Sequence, residues 1–252
     1  MNYIVFDLEY NQHFNYSNEK KRTINKHKCP FEIIQIGAIK LDSNFKTIST
    51  FDKLVKPIIY KRIHPYVKKI TGITKDQLST EKQFPEIYEE FVEFISPEKC
   101  VFCIWGGSDM KELFSNIKYH QLDSTLIPRD YIDIQSYATN QLNFTKGNNV
   151  GLSKAVEMFE IPQNNDFHNA FNDAYYTAEI FKLIYNEKII PKTYNQQNSI
   201  RKKSTSPKVD TYRLIKQFEK MFNRNISDEE KKIIKLAYLM GKTNQFTFKA
   251  KE

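Results

Sequence analysis

Tyr3-Ile4-Val5-Phe6-Asp7-Leu8-Glu9-Tyr10 is the stretch that decides the fold. Its first half is β-branched and aromatic, and apolar at both parities, as in a strand buried on two faces. Side chains alternate along a strand, so Asp7 and Glu9 share one face while Leu8 points to the other. Two carboxylates side by side at the end of a buried strand repel each other and lose solvation. Such a pair is stable when a cation lies between them or when they share a proton. The plainer alternative is that both simply end the strand where it meets water.

Working outward, Ile33–Leu41 and Thr47–Lys56 read as two further strands joined by Asp42-Ser43-Asn44, so that the chain opens as a three-strand meander. Gly37 inside the second strand marks a bulge or a close backbone approach. A short helix is predicted over His64–Ile70, with Thr71-Gly72-Ile73-Thr74 as its cap and exit. A longer one opens at Phe84-Pro85-Glu86, with Ile87, Phe91, Phe94 and Ile95 as its apolar stripe. Cys100–Trp105 and Tyr131–Ile134 are strands four and five. Helices are predicted from near Asp109, from strand five to about Leu142, over Gly151–Phe159 and over Asp173–Tyr185. This order gives a mixed α/β, five-stranded sheet flanked by helices, with strand one central and the later strands parallel to it. Ligands in such sheets gather at the carboxyl ends of the strands, where Asp7 and Glu9 fall.

Two more acids lie where helices begin. Asp109 follows the Gly106-Gly107 exit of strand four, and with Glu112 it also fits a capping box, the reading it favours in isolation. Asp173 shares a helix face with Thr177, Phe181 and Ile184, so its carboxylate needs neutralising. His168, five residues earlier, belongs to the preceding loop and is a candidate base, since imidazole titrates near neutral pH. These residues suit metal-assisted phosphoryl transfer. Two divalent ions would share Asp7 and be completed by Glu9, Asp109 and Asp173, and all-oxygen ligands favour Mg²⁺ or Mn²⁺ over zinc.

The 252 residues allow one large domain plus an appendage, and 40% apolar content with 14% aromatics supports a real core. No apolar run reaches the roughly 18 residues of a spanning helix, and no signal peptide precedes the first strand, so a cytoplasmic protein without membrane contact is expected. Cys100 and Cys103, spaced as C-x-x-C, fall on opposite faces of a strand and have no second pair to complete a zinc site. The net charge of +8 lies entirely from Asn195 onward, where 14 Lys/Arg face 6 Asp/Glu, while residues 1–194 hold 24 of each. A neutral body with a basic tail points to a polyanionic partner, nucleic acid being the usual one. The polar segment Asn11–Pro30 carries five Lys/Arg and is expected to overhang the carboxylate pair as a basic flap. The expected organisation is a body over 1–194, a linker over 195–210 and a helical extension over 211–252. The extension carries Tyr212, Ile215, Phe218 and Phe222 at helical spacing, then a capping box at Ser227–Glu230.

Asp7-x-Glu9 in a first strand, Asp109 at a strand-to-helix turn and His168-x4-Asp173 at the last helix resemble the DEDDh, or DnaQ-like, 3′-to-5′ exonucleases. The likeness covers roughly residues 1–190. Asp7-Leu-Glu9-Tyr10, Trp105-Gly-Gly-Ser-Asp109 and Tyr131-Ile-Asp-Ile134 are most similar to the Eri-type and KapD-like branch. The resemblance implies an RNase H-like fold, two Mg²⁺ or Mn²⁺ ions, and release of nucleoside 5′-monophosphates from the 3′ end of single-stranded RNA or DNA, RNA being favoured. It implies catalytic roles for Asp7, Glu9, Asp109, His168 and Asp173. Contacts to the terminal nucleotide are expected from Leu8, Tyr10, Thr71, Gly72, Ile73, Trp105 and Met110. The flap and the basic tail are not part of the family pattern. Two other readings are a non-catalytic nucleic-acid-binding scaffold and a polymerase-associated proofreading exonuclease. The complete set of five residues argues against the first, and the lack of a clear clamp-binding peptide against the second.

Overall fold

Strand β1 (Asn2–Gln12) is the axis on which the sheet is built, and its burial follows from its composition: every residue from Asn2 to Phe6 is buried. The computed structural model describes residues 1–13, 29–95, 99–144, 148–195 and 210–242. Of the expected flap Asn11–Pro30, Asn11 and Gln12 instead extend β1, and residues 14–28 lie outside the described residues, as do most of the expected linker and the extension from residue 243.

β1 pairs antiparallel with β2 (Phe31–Leu41), which pairs antiparallel with β3 (Thr47–Leu54). On its other side β1 pairs in parallel with β4 (Cys100–Ile104), which pairs in parallel with β5 (Asp130–Asp133). The sheet is therefore mixed with β1 central, as expected, but it has six strands rather than five. The sixth, β6 (Lys192–Thr193), lies antiparallel to β5 and completes the order β3-β2-β1-β4-β5-β6. Two exposed residues carry no alternation for a sequence reading to detect.

Helices cover both faces. Ile4, Phe6 and Leu8 pack on one side against α3 (Phe84–Ile95) and α4 (Ser108–Tyr119). Tyr3 and Val5 pack on the other against α5 (Ile134–Gln141), α6 (Leu152–Met158) and α7 (Ala170–Ile184). Cys100 and Cys103 fall in opposite clusters, and both thiols are pushed up by burial, which makes them poor nucleophiles and poor metal ligands. Asp7 and Glu9 continue the parity of Tyr3 and Val5, so they emerge on the face that α7 covers.

Two short helices precede α3. The first, α1 (Pro65–Thr71), ends at Gly72 with φ +71°, the left-handed cap expected there. The second, α2 (Lys75–Ser79), was not expected; it starts with a capping box between Thr74 and Gln77. A β-bulge ties this region to the sheet. Glu9 pairs with Gln35 and Tyr10 with Ile33, leaving Ile34 as the extra residue. Ile34 is thereby free to pack with Val67, Ile73 and Leu78.

The chain divides into two compact units, Met1–Ile200 and Arg201–Glu252. The second holds α8 (Thr211–Phe222), capped by Asp210, and α9 (Asp228–Lys242), which opens on the expected box between Ser227 and Glu230. No helix among the described residues is long and apolar enough to cross a membrane.

Candidate active site

The site is made where α7 meets bare backbone. Gly37 lies opposite Asp7 in the β1–β2 ladder, and a Cβ there would come 2.1 Å from the Phe171 amide nitrogen. Only glycine lets the first turn of α7 rest directly on β2. Gly37 thus marks a close approach; the bulge lies three residues earlier. This contact lowers Asp173 onto the strand face that carries Asp7 and Glu9.

The entry to α7 is fixed residue by residue. Asn169 caps the helix, accepting from the Phe171 and Asn172 amides. Gln35 accepts from the Ala170 amide at 3.1 Å and donates to Asp52 at 2.9 Å. His168 has φ +63°, a conformation that non-glycine residues adopt when their surroundings impose it. Its amide donates to Asp173 Oδ2 at 3.2 Å, while Asp173 Oδ1 is buried with no partner. His168 itself is exposed. Glu9, His168 and Asp173 each bring a ligand atom within 4.8 Å of the others, a group of a geometry that could hold a cation.

Asp109 arrives from the opposite side, at the start of α4. The capping-box reading fails here: the cap residue is Gly107, with no side-chain bond, and Asp109 lies inside the first turn at 3% exposure. Its carboxylate accepts the hydroxyl of Tyr10, which explains why it turns inward to the sheet instead of outward to solvent. Asp7 and Glu9 remain half-buried.

Electrostatics bind the four acids into one system. Burial, then repulsion from Asp109, Asp173 and Glu9, pushes the Asp7 carboxyl well above the usual range. Glu9 is raised to about 8 by burial and by Asp173 and Asp109. Asp109 is raised to about 7, chiefly by burial and against the pull of Tyr10, and Asp173 to about 6, with the His168 amide opposing burial. Four carboxylates held where their charge is this unfavourable, one with an orphaned buried oxygen, are a donor set that fits hard divalent cations.

The exonuclease family model, RNase_T, matches residues 4–181, from β1 through most of α7. The chain belongs to the exonuclease family. This exonuclease is 24% identical over 159 residues to the probable 3′-5′ exonuclease KapD of Bacillus subtilis strain 168, covering 62% of this chain and 75% of KapD. It is 22% identical over 172 residues to the 3′-5′ exonuclease crn-4 of Caenorhabditis elegans, covering 62% of this chain and 57% of crn-4. Among solved structures, the nuclease domain of 3′hExo, a DEDDh family member bound to rAMP, superposes with a TM-score of 0.61 at 18% identity, over 77% of this chain and 96% of that one. The shared fold is RNase H-like, and the exonuclease family is divalent-metal dependent.

The residues expected at the terminal nucleotide divide. Thr71, Gly72 and Ile73 line a groove of about 430 Å³ together with Gln35, Asp52 and Asn169. Trp105 is half-buried against the α7-side cluster, and its Nε1 has no partner. Leu8 (3% exposed) and Met110 (0%) are core side chains, because each points into the α3–α4 layer. Tyr10 spends its hydroxyl on Asp109. Sequence reasoning missed Asn11, which is fully buried. Its side chain donates to the Tyr60 and Arg62 carbonyls and accepts from the His64 amide, pinning the approach to α1. The signal was faint: one polar residue past the carboxylates, on a strand that ran two residues longer than expected.

Proposed function

We propose that this chain is a 3′-to-5′ exonuclease that hydrolyses phosphodiester bonds at the 3′ ends of single-stranded nucleic acid, preferring RNA, and releases nucleoside 5′-monophosphates. The observation that carries this reading is the meeting of Glu9, His168 and Asp173 within 4.8 Å at the carboxyl end of β1, beside Asp7. Asp7, Glu9, Asp109 and Asp173 would hold two divalent ions, Asp173 offering its unpartnered Oδ1. When bound, Mg²⁺ or Mn²⁺ would supply Lewis-acid stabilisation of the phosphate and lower the pKa of the attacking water.

His168 then takes the proton of that water at an imidazole nitrogen; its exposure on the rim lets it pass the proton to solvent. Thr71, Gly72 and Ile73 border the groove as a seat for the terminal nucleoside. The solved neighbours include both classes, one named for 3′-end recognition of a histone mRNA stem-loop and others in complex with single-stranded DNA, so the preference for RNA rests on the sequence likeness to the Eri-type and KapD-like branch. In this reading residues 1–194 form the catalytic body, 195–210 a linker, and 211–252 a basic extension that adds phosphate contacts.

The test is a digestion panel of 5′-labelled single- and double-stranded RNA and DNA, with free or blocked 3′ ends, in Mg²⁺, Mn²⁺ or EDTA. Shortening from free 3′ ends, dependent on metal and fastest on single-stranded RNA, is expected. Asp7→Ala is expected to abolish it while leaving the fold intact. Metal-independent binding without shortening would overturn the reading in favour of a scaffold.

A further inference from the structure

We propose that Gln35, oriented by Asp52, is a positioning residue that sets the place of His168 and Asp173; this rests on the roles given to those two residues above. Gln35 is 2% exposed and is the polar member of the buried run Ile33–Ile39. It pairs with Glu9 across the ladder, so it stands beside the site without being one of its acids. A buried primary amide is stable there only if both its ends are matched.

Both are. Oε1 accepts from Ala170, and Nε2 donates to Asp52 Oδ1. An ionised carboxylate only accepts, so Asp52 forbids the flipped amide and keeps Oε1 aimed at α7. Ala170 is the first residue of α7, where backbone N–H groups have no partner within the helix. Asn169 satisfies the next two amides and cannot serve this one as well. Gln35 is thus the side chain that fastens the head of α7 to the sheet, one turn from Asp173 and two residues from the left-handed His168. Asp52 lies on the edge strand β3, so the orientation of the site is controlled from outside it.

Gln35 and Asp52 also line the groove with Thr71–Ile73. A residue that touched the nucleotide there would act on KM, whereas a residue that places Asp173 and His168 acts on kcat. The full-length protein is assayed on single-stranded RNA with Mn²⁺ as Gln35→Glu, as Asp52→Lys and as the double variant. Gln35→Glu sets two acceptors face to face, and Asp52→Lys sets two donors face to face. Each is expected to lower kcat roughly 10–100-fold with KM within about twofold, the scale of a small misplacement of catalytic groups. The double variant restores a donor opposite an acceptor that still receives the Ala170 amide, and kcat is expected to return to within several-fold of the parent.

Hydrogen exchange over residues 168–173 is measured in the same proteins without substrate. Faster exchange in the single variants and recovered protection in the double variant are expected. This readout stands even if the protein degrades no nucleic acid, so failure of the nuclease reading and failure of the positioning role are distinguishable. Unchanged kcat and exchange in both single variants, an effect confined to KM, or a double variant no better than the worse single one would each overturn the proposal.

Discussion

Removing one negative charge from the acid cluster should stabilise the metal-free protein, and Glu9→Gln isolates the effect. The Glu9 carboxyl is raised from 4.5 to about 8 in the folded chain. A group raised on folding contributes stability that is fully present below its unfolded value and is lost as pH rises through its folded value. Between pH 4.5 and 8 the folded protein therefore weakens. At about 1.4 kcal/mol per pH unit the loss is about 4 kcal/mol at pH 8. Glu9 is half-buried, so water screens part of this, and about 2 kcal/mol is a fair expectation. For a body of this size that is a Tm gain of roughly 4–8 °C for Glu9→Gln at pH 8, shrinking to nothing near pH 4.5. The assay is thermal unfolding of both proteins after EDTA treatment, from pH 4.5 to 8.5. Addition of Mn²⁺ should then reverse the order at pH 8, because the parent gains a bound ion that the variant holds poorly. A Glu9→Gln protein less stable than the parent at pH 8 without metal, or a difference independent of pH, would refute the account of the cluster as charge held against its own repulsion.

Other outcomes follow from single contacts. Gly37→Ala drives a methyl group into the α7 backbone and should cost more than about 3 kcal/mol or prevent folding, read by urea denaturation; a near-neutral result would mean that α7 can slide. Tyr10→Phe removes the hydroxyl that holds Asp109 and should reduce kcat more than stability, measured by digestion and thermal melting side by side. Deleting residues 201–252, which carry the 14 Lys/Arg of the tail, should weaken RNA binding and flatten the slope of log K against log salt. An unchanged slope would leave the tail without phosphate contacts.

Most of the architecture could be read from strong local patterns. The doubly apolar β1, the stripe of α3 and the Pro-opened and Gly-capped helix ends are properties of a few neighbouring residues, and they emerged within one or two positions. The four proposed acids could be picked out for a related reason: Asp7, Glu9 and Asp173 put charge on faces that the surrounding apolar pattern marks as buried, and Asp109 follows a buried strand, whereas exposed His168 was picked only from its place before Asp173. What escaped detection depends on partners distant in the chain. Asp109 is in the expected set, but what turns its carboxylate inward was not legible, because its partner Tyr10 is 99 residues away. Met110 looked like a substrate contact because its burial depends on the layer beneath β1. Asn11 bonds to a remote loop and Gln35 to the first amide of α7 and to Asp52, and β6 is too short to carry a period.

The seat of α7 on Gly37 also sets a timetable. Three of the four acids are present once residue 109 has been made, yet the fourth and the imidazole arrive only with α7, about 60 residues later. A nascent chain halted before Asn169 would bear most of the chemistry and no competent centre. If the proposed roles of Asp173 and His168 hold, hydrolysis is a late acquisition of the polypeptide, waiting on the docking of α7 against Gly37.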